Sequence, residues 1–464
     1  MRASCMMAQR IWLAPAASLA LAAAAFPSAA QDVCDGWRFI DAPTPGDLQI
    51  LRAVSALSET DTWAVGEYAE LHDGVRDWLT LTLRWDGNQW VHVPSPSPGL
   101  GFPGGTSASL WNVEAITPEE VWAGGTQYII GRDGFPGQQY LAMRWDGSEW
   151  EVTPTPLTPE GGTGAYILNL DSLGPGRVWA CGFRVEPANP QVATVGTVLA
   201  WDGSEWVELP PTPIVSIDEH RLREIEVFAP DHILGIGGHS GNGFGPADQP
   251  YVVRWDGSSW EVLDVIPSIG LQTWLRDMDA LAPDDLWVVG EIVYGDRPSE
   301  PLFVHFDGET WQRFPAPSFD QGGVQIEVVT MVSSNDVWAA GTYTVERPPD
   351  EARPLLMHFD GAEWRQVFSD PAGPEFGWFR GLDDLGRCDV WAVGQRDISF
   401  THTQRLLGEG CRADFNGDGS VNTLDVLAFL NAFASDDSGA DFDGNGVVDS
   451  RDVLAFLNVW AAGC

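Results

Sequence analysis

Between residues 31 and 410, apolar and polar positions alternate in short runs rich in β-branched and aromatic residues, punctuated by Gly, Asp and Pro. A period of two over such lengths marks half-buried strands, whereas an amphipathic helix repeats about every 3.6 residues. The first stretch predicts four strands: a around Leu51–Ala56, b around Thr62–Gly66, c around Leu79–Trp85 and d from Trp90 to Val93. Asp86-Gly87 forms the turn between c and d, because Gly after Asp readily takes the positive φ of a tight hairpin.

The same unit then recurs. Trp-Ala-Val-Gly or a close variant starts at Trp63, Trp122, Trp179, Trp287, Trp338 and Trp391, and a degenerate Ile-Leu-Gly-Ile-Gly copy at Ile233 makes seven. Aromatic-Asp-Gly-x-x-Trp starts at Trp85, Trp145, Trp201, Trp255, Phe306 and Phe359, which is six. The seventh partner stands at the other end of the chain, as Asp35-Gly36-Trp37. Such an offset is how a β-propeller closes: the N-terminal strand becomes the outermost strand of the last blade, and hydrogen bonds across the seam replace two exposed edges. The predicted fold is all-β, a seven-bladed β-propeller over residues 31–410 closed by the N-terminal strand. Seventeen of the 23 tryptophans fall in the repeated slots, which marks them as packing between blades.

Spacing separates scaffold from working surface. The strand-a apolar residue precedes the strand-b Trp by twelve at Leu51/Trp63, Leu110/Trp122 and Leu275/Trp287, and the c–d turn keeps one length. The d-to-a and b-to-c connections vary, and in a four-stranded blade both leave by the same face, where binding loops belong. One residue into strand a stand Arg52, Trp111, Leu168, Arg223, Arg276, Glu327 and Arg380, and just before it Tyr166, Trp274 and Trp378. Three residues further on come Glu114, Asp171, Glu226, Asp279 and Asp383. Two readings are open. One is an Arg–carboxylate ring that satisfies polar groups lining the channel. The other is a funnel of aromatic platforms for sugars and guanidinium forks for carboxylates or sulfates, with Arg52, Trp111, Tyr166, Arg223, Trp274, Arg276, Trp378 and Arg380 as ligand-binding residues.

Charge narrows the partners. The chain has 25 Arg and no Lys against 66 Asp and Glu, for a net charge of −41. Such a surface repels nucleic-acid phosphates and anionic lipid. Residues 1–30 read as an export signal, with Arg2 and Arg10, an Ala- and Leu-rich Ile11–Phe26 core, and Ser28-Ala29-Ala30 before Gln31. That run is short for a span and contains Pro15, and no other run is long enough to cross a bilayer. The mature chain is therefore expected to be secreted, without a transmembrane span. Cys181, inside an apolar strand pattern, is the expected buried free thiol.

After Cys411 the pattern changes. Asp414, Asn416, Asp418, Asn422 and Asp425 place side-chain oxygens at positions 1, 3, 5, 9 and 12 of a loop, with Gly419 at the sharp turn and the Ser420 carbonyl at position 7. A second loop repeats this with Asp441, Asp443, Asn445, the Val447 carbonyl, Asp449 and Asp452. Two matches in the same glycine register predict two calcium ions. Each loop runs into one helix sequence, Asp425-Val-Leu-Ala-Phe-Leu-Asn431 and Asp452-Val-Leu-Ala-Phe-Leu-Asn458, whose apolar residues at i, i+1, i+3 and i+4 predict one greasy face per helix.

The duplicated calcium loop plus helix over residues 411–464 resembles a type I dockerin, and its start at Cys411 and end at Gly463-Cys464 resemble the GC-type dockerins of secreted bacterial proteins. The resemblance implies a small α-helical dockerin with two EF-hand-like calcium loops, anchored to a cohesin-like or cell-surface partner. It implies partner contacts at loop positions 10 and 11, here Thr423 and Leu424, then Ser450 and Arg451; the copies differ, which argues against symmetric dual binding. A Cys411–Cys464 disulfide would clasp its ends. Cys34–Cys388 would close the ring, with Cys388–Cys411 as its competitor. The propeller repeats resemble unassigned bacterial Trp-Ala-Val-Gly propellers, which carry no characterised function over.

No catalytic motif emerges. Gly238-His239-Ser240-Gly241-Asn242 departs from a nucleophile elbow at its last position, and His305 and His358 occupy the slot of Arg84, Arg144 and Arg254, a scaffold position. The expected molecule is a secreted monomer, a carbohydrate- or protein-binding propeller tethered by a calcium-dependent dockerin. A propeller hydrolase or lyase acting on acidic polysaccharide is the alternative.

Overall fold

The computed structural model describes residues 34–408 except 73, 99–107, 131–135, 159–163, 187–193, 215–218, 241–248, 264–265, 318, 320–321, 346–350, 368–375, 387 and 398, and beyond 408 it describes 415, 423–435, 440, 442 and 448–462. The export segment, Cys411, Cys464 and nine of the loop-oxygen residues (Asp414, Asn416, Asp418, Ser420, Asn422, Asp441, Asp443, Asn445 and Val447) lie outside the described residues.

The strands form seven antiparallel four-stranded blades, with blades 3 and 4 joined by one parallel bridge between Thr194 and Glu219. The inner strands, a of blades 1 to 7, are Leu48–Ser58, Ala108–Thr117, Ala165–Ser172, Glu219–Ala229, Gln272–Ala282, Val324–Ser333 and Gly377–Gly386. Blade 7 is the seam. Its outermost strand is the N-terminal Cys34–Phe39, antiparallel to strand c (Phe400–Gly408), with Trp37 opposite Leu406.

The repeated tryptophans lock neighbouring blades. Trp63 of blade 1 lies 5.0 Å from Trp145 and 5.3 Å from Trp150 of blade 2, and Trp391 of blade 7 meets Trp85 and Trp90 of blade 1 at 5.2 and 5.0 Å. The strand-b Trp thus wedges into the aromatic pair flanking the next blade's Asp-Gly turn, as Trp122 does with Trp201 and Trp206 and Trp287 with Phe359 and Trp364. Trp37 supplies that contact to Trp338, 5.4 Å away and edge-on. In blade 4 the slot passes to Leu234, which packs in one apolar cluster with Phe306 and Trp311 of blade 5. At the turn, Asp86 Oδ1 accepts the Asn88 and Gln89 N–H groups at 2.8 and 2.9 Å, and Gly87 has φ of 93°. Gly36, the copy at the seam, has φ of 100°. Cys181 is a buried free thiol, and Cys388 is disulfide-bonded.

In the C-terminal segment, helices α1 (Thr423–Ala434) and α2 (Ser450–Ala462) meet through Phe429 and Phe456, whose rings stack 4.2 Å apart at 8°. Phe442 packs edge-on to both. The expected apolar face divides. Val426, Phe429, Val453 and Phe456 turn into this core, while Leu427, Leu430, Leu454 and Leu457 remain exposed. Residues at i+1 and i+4 lie about 100° around the helix from i and i+3, and a two-helix unit covers only one of the two rows. Among the described residues no helix is long and apolar enough to cross a membrane.

Candidate functional site

Every inner strand carries the same irregularity. The register against strand b slips at Leu51/Ala53, Leu110/Asn112, Ile167/Asn169, Leu222/Glu224, Leu275/Asp277, Ile326/Val328 and Phe379/Gly381. The seven residues left over are Arg52, Trp111, Leu168, Arg223, Arg276, Glu327 and Arg380. A β-bulge adds one unpaired residue and re-aims its side chain. All seven line one cavity of about 460 Å³ enclosed by the inner strands. The bulge also explains the motif glycine: a Cβ on Gly290 would stand 1.9 Å from the Trp274 carbonyl oxygen, and Gly66, Gly125, Gly182, Gly237, Gly341 and Gly394 face the same obstacle.

The structure sorts the eight ligand-binding candidates. Arg52, Trp111, Arg223, Arg276 and Arg380 line the cavity, whereas Tyr166, Trp274 and Trp378 do not. Arg52 donates to Glu67 at 2.6 Å and lies 4.0 Å over the Trp111 ring, covering that platform. Tyr166 stacks on Phe183 at 4.7 Å and gives its hydroxyl to Gln138. Trp274 stands beside Arg276 and Arg223, at 5.4 and 6.0 Å, and Trp378 beside Arg380 at 5.6 Å. Arg276 is bonded to Glu291. Arg223 and Arg380 make no hydrogen bond or ion pair among the described residues, and the Arg380 Nε is buried without a partner. Burial, reinforced by Arg276, pulls the Arg223 guanidinium down to about 10; burial also lowers Arg380, against the pull of Glu327.

Below this tier lie the carboxyl groups, and several button one blade to the next. Asp171 accepts the Val227 N–H, Asp279 the Met331 N–H at 2.6 Å, and Asp383 the Ala56 N–H at 2.6 Å, the last across the seam. Glu114 accepts from the Ser172 hydroxyl at 2.8 Å. Burial, with Asp171 nearby, raises Glu114 to about 8; burial raises Asp383 to about 8 and Asp171 to about 6, in each case against the hydrogen bonds they accept. Burial holds Glu226 well above the usual range. Two further carboxyls, outside the recurrence of acids three residues past the bulge, line the cavity. Glu224 and Asp277 are hydrogen-bonded to each other in the same cavity, and burial raises Asp277 to about 7. Their sequence signal is an acid directly after the bulge residue. Among the described residues no three acidic, His or Cys side chains are grouped to hold one metal ion.

His305 and His358 are scaffold. They bond Asp285 and Asp336 at 2.8 and 2.7 Å and lie against Trp287 and Trp338, as Arg84 bonds Asp61 over Trp63. The side chains of His239 and Ser240 and the loop that follows lie outside the described residues.

In the C-terminal segment Asp425 and Asp452, each at position 12 of its loop, are fully buried in the first helical turn, and Asp452 Oδ2 accepts the Asp449 N–H at 2.7 Å. Two equivalent carboxylates withdrawn from water beside a phenylalanine core fit the oxygen chemistry of a calcium site. The four candidate partner residues, Thr423, Leu424, Ser450 and Arg451, stand at the start of α1 and α2, and Leu424 is exposed.

The fold and its two sites define a seven-bladed β-propeller carrying a C-terminal dockerin. Residues 412–458 match the dockerin type I domain. No curated protein matches the chain in sequence. Similar solved structures include YCF48 from Cyanidioschyzon merolae, 16% identical with a TM-score of 0.47 over 80% of this chain and 98% of that one. Others are the β-propeller domain of the trilobed protease from Pyrococcus furiosus (10%, 0.43, 78% and 96%) and the ulvan lyase of polysaccharide lyase family PL25 bound to -[GlcA(1-4)Rha3S]- (12%, 0.44, 80% and 96%). At these values none of them assigns a ligand or an activity to this chain.

Proposed function

We propose that the propeller binds an acidic glycan across its channel mouth and that the dockerin tethers it, through a cohesin-type partner, to an extracellular or cell-surface assembly. The observation that carries the first half is where the arginines stand. In a chain of 25 cations against 66 acids, four of seven bulge residues at one mouth are Arg, with Trp274 and Trp378 alongside. Guanidinium forks pair with carboxylate and sulfate, and indoles stack on sugar rings.

The tether rests on the dockerin match and on a row of exposed apolar side chains, Leu424, Leu427, Leu430, Leu454 and Leu457, beside the four candidate contact residues. Two calcium ions would be held by Asp414, Asn416, Asp418, Ser420, Asn422 and Asp425, and by Asp441, Asp443, Asn445, Val447, Asp449 and Asp452. Bound calcium supplies the charge that neutralises these clustered carboxylates. The GC-type ends, the export signal, the Cys411–Cys464 clasp and a monomeric state complete this reading.

The test is a paired substitution. Changing Trp274 and Trp378 together to Ala costs affinity for a chondroitin oligosaccharide, each platform being worth about 0.5–1.5 kcal/mol beyond its area, and leaves thermal stability nearly intact. Trp287→Ala, in the packing slot, unfolds the blade instead. Equal destabilisation by both, without ligand binding by the intact protein, overturns the reading.

A lyase or hydrolase is favoured by one observation, a carboxyl in the cavity lining, Glu114, that among the described residues accepts only from the Ser172 hydroxyl and that desolvation raises to about 8. Against it, Asp171, Asp279 and Asp383 are already engaged in joining blades. Release of an unsaturated uronate from the same oligosaccharide, read by ultraviolet absorbance and lost in Glu114→Gln, decides for the enzyme.

A further inference from the structure

The mouth is not uniform around its circumference, and its asymmetry sharpens the ligand class; the inference rests on the glycan-binding reading above. Across blades 1 to 3 the ring is closed: Arg52 is bonded to Glu67 and lies on Trp111, and Leu168 follows. Across blades 4 to 7 run Arg223, Arg276, Glu327 and Arg380. Arg276 has its carboxylate, Glu291. Among the described residues no carboxylate hydrogen-bonds Arg223 or Arg380, although Glu327 pulls on both, and the cause is visible one strand over. The residue after the motif glycine is Glu67 beside Arg52 and Glu291 beside Arg276, but Gly238 beside Arg223 and Gln395 beside Arg380. Glu327, between Arg276 and Arg380 in ring order, accepts no hydrogen bond among the described residues.

Two half-buried guanidiniums that share the pull of Glu327 but hydrogen-bond no carboxylate are costly in the free protein, and a ligand that brings an anion into hydrogen-bond contact with each recovers that cost. The carboxyl tier below offers an anion no cation, and Asp171, Asp277, Asp279 and Asp383 are already engaged by N–H groups of the next blade, so the charged groups of a ligand stay with the guanidiniums at the mouth. We propose that the arc from blade 4 to blade 7 recognises a dianionic saccharide, with one acidic group on Arg223, a second on Arg380, and a hydroxyl between them donating to Glu327. A uronate bearing a sulfate on the neighbouring sugar has this chemistry. A neutral or singly charged sugar leaves one guanidinium unpaired.

The experiment compares two probes on the full chain in calcium: the unsulfated chondroitin disaccharide, with one carboxylate, and the monosulfated form, with a carboxylate and a sulfate, each titrated calorimetrically. The intact protein prefers the sulfated probe by about tenfold or more, the value of one charge-assisted hydrogen bond. Arg223→Gln and Arg380→Gln, which keep bulk and remove charge, each bring the preference to within about twofold. Gly238→Glu, which installs the counter-ion that Arg52 and Arg276 possess, does the same. Arg254→Ala, remote from the mouth and paired with Glu261, leaves it unchanged. Equal affinity of the intact protein for both probes, or a preference that survives Arg223→Gln and Arg380→Gln, overturns the dianion inference while the mouth remains a binding site. Failure of both probes to bind at millimolar concentration overturns the glycan-binding reading and this inference with it.

Discussion

Two adjacent glycines in blade 4 show how a single position serves the site. A Cβ on Gly237 would meet the Arg221 carbonyl oxygen at 2.0 Å, because the bulge at Arg223 presses the inner strand onto strand b; a Cβ on Gly238 meets only the Gln249 oxygen at 3.8 Å. Gly237→Ala is therefore expected to lower stability by about 3 kcal/mol, at the upper end of overpacking costs, while Gly238→Ala is nearly neutral. Denaturant midpoints of the two variants check this, and equal midpoints would remove the bulge from the account of the motif. The sequence displays the glycine but not its reason. A period-two reading places Arg52 and its equivalents on a regular strand, and only the register shows that each is an inserted residue.

At the scale of elements, strands and turns are legible because the constraints are local. Asp-Gly turns, wedge tryptophans and the N-terminal Trp37 all stand where spacing alone puts them. The helices of the dockerin are less so. Their period of 3.6 is plain, but which of two leucine-bearing rows is covered depends on how much partner surface the segment contains, and here Leu427, Leu430, Leu454 and Leu457 stay outside. The small phenylalanine core and the buried Asp425 and Asp452 leave this segment dependent on calcium, since clustered carboxylates repel one another without it. Limited proteolysis of the full chain, read by mass spectrometry, is expected to cut within residues 411–464 in EGTA and to spare them in calcium, with the propeller intact in both. Equal resistance with and without the metal would contradict this dependence.

For the whole molecule, the channel is a ring of blade-to-blade hydrogen bonds assembled from residues far apart in sequence, and this was the least legible part. The recurrence of acids three residues after the bulge position can be read off, whereas their burial and their partners, such as the Ala56 N–H for Asp383 across the seam, follow only from closure. Closure also sets a pH dependence. Unfolded Glu114 and Asp383 bind protons with ordinary values of 4.5 and 3.8, and folding raises both to about 8. The folded protein thus holds more protons between about pH 4 and pH 8, so their contribution is full below the unfolded values and is lost as pH rises through the folded ones. The thermal midpoint should fall from pH 5 to pH 8 and fall less in Glu114→Gln, which keeps an acceptor for Ser172; an identical slope in that variant would sink the assignment. The central claim is that the propeller is a reader of acidic glycans at its mouth. The direct measurement is a glycan array probed with the full chain in calcium, alongside the Arg223→Gln/Arg380→Gln variant. The account predicts retention of sulfated and uronate-bearing glycans, released by salt as charges are screened and absent in the variant. Retention of neutral glycans in preference, undiminished in the variant, would contradict it.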